Sequence, residues 1–286
     1  MNPTEEFERN RDRLRSVAYR MLGSITEADD AVQEAWLRFD RAGAEEVDNM
    51  RAWLTVVVSR VCLDMLRARR ARREEPFDWS LPEPIVTQVE SNAPEHEALI
   101  ADSVGLALQI VLETLAPAER LAFVLHDMFG MPFEEIAPIV ERSVPATRQL
   151  ASRARRRVRG AEPSAEASNA RQRAVIDAFL AASREGDFDA LLEVLDPDVV
   201  MRIDAGRLRP PAQLQGSREV AAVVLAEGTP RAPFGRRAIV NGAPGVVVAR
   251  GRHVLAVAAF TTSGGRITSL NLVADPDKLR HVRVAL

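Results

Sequence analysis

Apolar residues recur at three- and four-residue intervals through most of the first 160 positions, and the last third of the chain changes to strand-like runs. Val32, Ala35, Trp36 and Phe39 keep helical spacing behind Thr26 and Asp29, which have the separation of a helix cap. The segment Asp40 to Asn49, with Gly43, interrupts the pattern. A second helix is predicted from Met50 or Arg51 through Trp53, Leu54, Val57, Val61 and Leu66. From Glu74 to Glu95 periodicity disappears and prolines stand at 76, 82, 84 and 94, which predicts an extended linker. Helical spacing resumes over Glu97 to Leu115. Pro117 is placed to open a further helix containing Arg120, Phe123, Val124 and Leu125, and Gly130 to end it.

The next stretch predicts two short helices joined by a tight turn. Phe133, Ile136, Ala137 and Val140 form one apolar stripe, and Val144, Ala151, Ala154 and Val158 form another after a three-residue break. Ser143 is placed to cap the second helix and Pro145 is tolerated in its first turn, whereas Pro138 is expected to distort the first. Thr147, Arg148, Gln149, Ser152, Arg153 and Arg156 supply polar groups to the second helix, as a helix-turn-helix reading the major groove requires. A purely structural helical hairpin has the same pattern.

Beyond a boundary at Gly160 to Ser168, a helix is predicted from Ala170 to Ser183 and a short one to Leu195. Strand-like runs follow at Val199 to Asp204, Arg237 to Asn241, Gly245 to Arg250, His253 to Thr262 and Arg266 to Val273. Helices first and antiparallel strands later predict an α+β domain with a curved sheet wrapped over its helices.

Composition narrows the chemistry. The net charge of -3 conceals two basic blocks: seven arginines against the single acid Asp64 between Arg51 and Arg73, and seven against none between Arg142 and Arg159. Lys278 is the only lysine. Guanidinium groups grip phosphate bidentately or stack on bases, so two such blocks in two helical units point to nucleic acid. Cys62 alone excludes an internal disulfide, and its apolar neighbours predict a small buried hydrophobe. His96, His126, His253 and His281 show no zinc spacing, so no metal and no cofactor is expected. The absence of a long apolar run and the charged N-terminus predict a cytoplasmic protein with no membrane partner.

These residues together resemble the extracytoplasmic-function sigma factors, which direct bacterial RNA polymerase to promoters. The run Asp30-Ala31-Val32-Gln33-Glu34-Ala35-Trp36-Leu37 resembles their polymerase-gripping helix, and Ala52-Trp53-Leu54 through Asp64-Met65-Leu66-Arg67 their minus-ten reader. Leu112 through Arg120, Glu135-Ile136-Ala137 and Thr147-Arg148-Gln149 through Arg153-Ala154-Arg155 resemble the domain that reads the minus-thirty-five element. The last third resembles the SnoaL-like, nuclear-transport-factor-type cone carried by the SigJ-like subgroup. Leu81-Pro82-Glu83-Pro84 resembles that subgroup's linker motif, Asp204-Ala205-Gly206-Arg207 a shortened form of its glycine-rich motif, and Asp275-Pro276-Asp277-Lys278-Leu279 its C-terminal motif. Trp79 stands one place early, and Asp275 replaces an asparagine.

The resemblance implies a multidomain protein: an all-α sigma-2 domain at 1–73, a linker at 74–96, an all-α sigma-4 domain at 97–160, a linker at 161–168 and an α+β cone at 169–286. It implies core polymerase contacts through Asp29, Gln33, Glu34 and Leu37. Minus-ten contacts would come from Asn49, Met50, Arg51, Ser59, Arg60 and Arg67, and minus-thirty-five contacts from Ser143, Thr147, Arg148, Gln149, Ser152, Arg153 and Arg156. Leu81, Pro82, Glu83, Pro84, Asp204, Arg207 and Asp275 through Leu279 would carry regulation between domains, replacing a separate anti-sigma factor. The expected partners are therefore core RNA polymerase and promoter DNA. A helix-turn-helix regulator with a ligand-sensing domain, and a cone-fold isomerase or cyclase fused to a DNA-binding arm, stand as alternatives. For the latter, Asp204 and His253 are the candidate acid-base groups, both on predicted strands and neither with a visible partner.

Overall fold

A computed structural model describes residues 3–42, 49–72, 80–87, 106–158 and 167–282. The chain forms two compact units, one from Met1–Phe77 and Leu108–Ala161, the other from Asp78–Ala107 and Glu162–Leu286. The predicted sigma-2 domain and the predicted sigma-4 domain from Leu108 on thus fall in the first unit, and the described part of the predicted linker falls in the second.

In the first unit, α1 (Pro3–Leu22), α2 (Ile25–Ala42) and α3 (Met50–Arg72) pack on one another. Leu14, Val17, Ala31, Ala35, Leu54 and Val58 are buried at the centre. A cluster of Phe7, Trp36, Phe39 and Trp53, with successive ring centroids 4.8, 5.7 and 5.6 Å apart, closes one side. The start of α2 is capped by Ser24, whose Oγ accepts from the Glu27 amide at 3.2 Å, and not by Thr26. Ser24 and Glu27 have the serine-x-x-glutamate spacing of a capping box two residues before the expected cap.

The second sigma region contributes α4 (Leu106–Thr114) from Leu108 on, α5 (Pro117–Phe123), α6 (Phe133–Val140) and α7 (Val144–Val158). A single π turn, Val124–Met128, extends α5 and ends at Gly130, whose φ of 69° is open to glycine. Helix α6 runs through Pro138 without a break. The proline faces solvent, and the carbonyl its missing N–H would have bonded belongs to exposed Glu134. Glu141 turns the chain with φ 57°, and Ser143 Oγ accepts from the Ala146 amide at 3.4 Å to start α7.

Cys62 is fully buried on α3, where burial first and the nearby charge of Glu27 second push its thiol pKa far up. The folded protein is therefore expected to react with a water-soluble disulfide reagent only after denaturant is added. Rapid labelling of the native chain would show the helix bundle to be open.

In the second unit, α8 (Ala167–Glu185), α9 (Phe188–Val194) and α10 (Ser217–Val223) pack against a seven-stranded sheet. The strands are β1 (Val86–Thr87), β2 (Leu195–Asp204), β3 (Ala212–Gln215), β4 (Gly235–Val240), β5 (Ala243–Arg250), β6 (His253–Ser263) and β7 (Arg266–Val273), in the order β1-β4-β5-β6-β7-β2-β3. A short helix, α11 (Pro276–Leu279), follows. Ile176, Phe179 and Leu180 of α8 and Leu191 of α9 meet Met201, Phe260 and Leu270 of the sheet, with the Phe179 and Phe260 rings 5.4 Å apart.

The sheet departs from the expected set of antiparallel strands in three ways. β2 pairs with β7 in parallel, because the chain leaves β2 and returns across the sheet. β3 and α10 fill the stretch between Asp204 and Arg237, for which no element was expected. β1, at the end of the stretch read as linker, pairs antiparallel with β4 and forms the sheet's edge, Val86 opposite Val240.

Candidate polymerase, promoter and linker sites

On α2, Asp29, Gln33 and Leu37 stand at i, i+4 and i+8 and are all exposed, so they share one face. Leu37 is one of the few large apolar side chains left in water among the described residues, at 39% exposure. Asp29 is bound by Arg15 at 2.6 and 3.1 Å, and half-buried Glu34 by Arg38 at 2.8 Å.

Helix α3 sorts the minus-ten candidates. Arg51, Arg60 and Arg67 are exposed, and Arg60, Asp64 and Arg67 lie on one stripe of the helix. Asn49 caps α3, its side-chain oxygen accepting from the Ala52 amide at 3.0 Å, and Met50 is half-buried. Ser59 is a correction: it is fully buried among the apolar residues of α3 and cannot reach a strand at the surface. Trp53 belongs to the aromatic cluster, so its ring is engaged in packing.

Helix α7 has a clean division. Thr147, Ala151, Ala154 and Val158 are buried against α5 and α6, while Arg148, Gln149, Ser152, Arg153 and Arg156 project from the opposite, exposed face. Thr147 is therefore a second correction. Its hydroxyl donates to the Ser143 carbonyl at 3.0 Å and serves the turn, not the surface. Glu119, buried on α5, holds Arg153 and Arg157 at 3.2 Å each, and Arg148 meets Glu134 at 3.1 Å. Arg156 has no ion pair among the described residues.

Within the same unit the two sigma regions are packed together by polar contacts that the sequence did not reveal. The last carbonyls of α1 lack helical partners, as at any helix end. Arg120 Nη1 donates to the Met21 carbonyl at 2.7 Å, and Gln109 Nε2 to the carbonyls of Tyr19 and Arg20 at 3.3 Å each. Within the first region, Arg69 of α3 donates to the Leu22 carbonyl at 3.3 Å. Arg20 and Arg13 lie over the Phe129 ring at 4.9 and 5.1 Å, and burial lowers the Arg20 pKa to about 10. Gly23 makes the approach possible: with φ 72°, a Cβ there would lie 2.0 Å from Glu113 Oε1.

The second unit contains a clasp around the linker motif. Asp204, at the end of β2, accepts from the Leu81 amide at 2.7 Å and from Ser80 Oγ at 3.2 Å, all through Oδ2. Lys278 of α11 reaches the same oxygen at 2.7 Å and also donates to Ser80 Oγ and the Leu81 carbonyl. Gly206 donates its amide to Asp204 Oδ1 at 3.0 Å. Burial raises the Asp204 pKa, but the Lys278 hydrogen bond and charge, with the Gly206 and Leu81 amides, outweigh it and hold the carboxyl below its ordinary value. Leu81, Pro82, Glu83 and Pro84 are all buried, and Leu279 packs beneath the clasp at 5% exposure.

Asp275 accepts from the Asp277 amide at 3.0 Å and so caps α11, with Pro276 in the first turn. The shortened glycine motif keeps the glycine that matters, because a Cβ on Gly206 would lie 2.3 Å from the Asp275 carboxyl carbon. Arg207 and Asp277 are exposed. Asn241 was not anticipated: its side chain accepts from the Ile85 amide at 3.1 Å and its own amide donates to the Ile85 carbonyl at 2.8 Å. Asn241-Gly242 is legible in sequence only as a turn. Trp79 lies outside the described residues.

Neither acid-base candidate stands alone in a cavity, since Asp204 is committed to the clasp and His253 is exposed at the start of β6. No helix among the described residues is long and apolar enough to cross a membrane.

Comparison with known proteins agrees with this division. Residues 7–72 match Sigma-70 region 2, and residues 106–158 match Sigma-70, region 4. The chain is 38% identical over 273 residues to the probable ECF RNA polymerase sigma factor SigI of Mycobacterium tuberculosis, covering 96% of this chain and 93% of that protein. It is 39% identical over 288 residues to the ECF RNA polymerase sigma factor SigJ of the same species, covering 96% and 92%. The crystal structure of M. tuberculosis SigJ superposes with a TM-score of 0.76 at 34% identity, over 97% of this chain and 98% of that one. With both sigma regions matched and the likeness running through the C-terminal sheet, the chain belongs to the extracytoplasmic-function RNA polymerase sigma factors.

Proposed function

We propose that this sigma factor is held inactive by its own C-terminal domain, which seizes the segment joining the two promoter-reading regions. The observation that carries this reading is the clasp: residues 80–85 are fixed by Asp204, Lys278 and Asn241, and β1 is a strand of the C-terminal sheet. An unanchored eight-residue stretch spans about 25 Å when extended, and that reach is withdrawn when the stretch is bound along its length. The two regions must separate to meet the minus-ten and minus-thirty-five elements of one promoter. Their packing through Arg120, Gln109 and Phe129 opposes that separation. A separate anti-sigma factor is then unnecessary, and the cone acts without turnover.

In the active form, Asp29, Gln33, Glu34 and Leu37 contact core polymerase, the apolar Leu37 in the middle of a polar face. Arg51, Arg60 and Arg67 contact the minus-ten strand, with Asn49 and Met50 at the loop before them. Arg148, Gln149, Ser152, Arg153 and Arg156 face the major groove of the minus-thirty-five element, with Ser143 at the helix start. Replacing Arg156 by Ala is expected to weaken promoter binding about tenfold or more, the cost of one arginine contact. Electrophoretic mobility shifts on a cognate promoter with holoenzyme measure it, and unchanged binding would remove Arg156 from the interface.

Run-off transcription with core polymerase tests the whole reading. The full chain is expected to initiate at a specific promoter less efficiently than a chain ending near Gly160. Specific DNA binding without initiation by either form favours the helix-turn-helix regulator instead.

A further inference from the structure

The C-terminal unit encloses a cavity of about 460 Å³, within the range that holds drug-sized ligands. Its wall is apolar, built from Phe179 of α8, Met201 and Ile203 of β2, Val246 of β5, Phe260 of β6 and Leu270 of β7. The hydroxyl in the lining, Ser183, already donates to the Phe179 carbonyl at 2.7 Å. The ionisable lining residues, Arg209, Glu227 and Arg231, retain solvent exposure and therefore stand at the mouth. Leu208 and Leu255 share that mouth and are 71% and 40% exposed. Apolar side chains left in water around an apolar cavity mark a place where an apolar body is received.

The charges at the mouth select the other end of that body. Arg209 Nη1 lies 3.0 Å from each carboxylate oxygen of Glu227, so that pair is neutral. Arg231 donates only to the Glu227 backbone carbonyl and has no ion pair among the described residues, which leaves one uncompensated positive charge on the rim. We propose that the cavity binds an amphipathic carboxylate, its apolar body against Phe179 and Phe260 and its head group on Arg231. A body of about a dozen carbons suits a site of this size. The lining away from the mouth holds no acid-base group, and Asp204 and His253 are not part of it.

The cavity is also joined to the clasp. Ala205, Leu208 and Ala274 line it, the Ala274 amide donates to the Asp204 carbonyl at 2.6 Å, and the turn Gly206–Leu208 begins at the amide that holds Asp204 Oδ1. A ligand that displaces Leu208 therefore bears on the carboxylate that grips the linker. This coupling rests on the regulatory reading given above, whereas binding does not.

Isothermal titration calorimetry of the full chain with dodecanoate, dodecanol and dodecyltrimethylammonium is the test. Dodecanoate is expected to bind at one site, at least tenfold more tightly than the alcohol or the cation. Arg231→Met should reduce that preference to threefold or less. Leu255→Glu, an exposed position whose change leaves the core intact, should weaken dodecanoate at least tenfold. Absence of saturable binding, several equivalent sites, equal affinity for the alcohol, or affinity indifferent to Leu255→Glu would each overturn the proposal. One-site binding that leaves run-off transcription unchanged would keep the ligand site and sink only its coupling to the clasp.

Discussion

Lys278→Met is expected to loosen the hold on segment 80–87 while leaving strands β2 to β7 folded. Removing one member of a buried ion pair strands the other, at a typical cost of about 3–5 kcal/mol. Asp204 keeps the Leu81, Ser80 and Gly206 hydrogen bonds, so the lower end applies, about 3 kcal/mol. Hydrogen exchange reads this directly. The Leu81 and Ile85 amides should exchange about a hundredfold faster in the variant, with β5 and β6 unchanged as the internal control. Run-off transcription from the full chain should rise toward that of the shortened one. Unaltered exchange at Leu81 would show that Lys278 does not hold the linker.

The same clasp has a defined pH dependence. The Asp204 pKa is lowered in the folded state from an ordinary value of 3.8, so its contribution is complete above that value. It is lost as pH falls below 3.8 and through the depressed folded value, where the carboxylate takes up a proton. The protection factor at Leu81, the exchange rate corrected for its intrinsic pH dependence, should therefore fall in strongly acidic buffer and stay constant through the neutral range.

The second large effect is expected from Arg120→Met. Arg120 is 4% exposed, and its guanidinium ties α5 to the end of α1 through the Met21 carbonyl. A hydrogen bond from a charged group contributes about 1.5–3 kcal/mol, and methionine fills most of the volume without replacing the donor. The urea midpoint of the helical unit should fall by about 1 M for a slope of about 2 kcal/mol/M. Because this contact holds the two sigma regions together, transcription should not fall in step with stability. A midpoint equal to that of the parent chain would show the packing of the regions to be carried by apolar contacts alone.

Much of the candidate site was legible in sequence because helical faces follow from spacing. Arg148, Gln149, Ser152, Arg153 and Arg156 are exposed on α7 for the same reason that Ala151 and Ala154 are buried. Where single residues were misread, the period was not at fault. Ser59, assigned by resemblance, and Thr147, assigned for its polarity as well, are polar residues on buried faces, the latter satisfied by a carbonyl four residues back. The motif at Leu81 to Pro84 marked the linker as significant, but its proline content concealed that residues 86 and 87 form a strand.

Local order in the chain was enough to determine the helical sigma regions, the helix-turn-helix and the hairpin strands, since capping residues, glycine turns and apolar periods act over a few residues. Tertiary structure alone decided the parallel pairing of β2 with β7, the annexation of β1 by β4, the clasp of Asp204 and Lys278 and the cavity beside it. Each of these joins groups tens to hundreds of residues apart. Such contacts depend on which surfaces meet after the local elements have formed, and no short-range period records that choice.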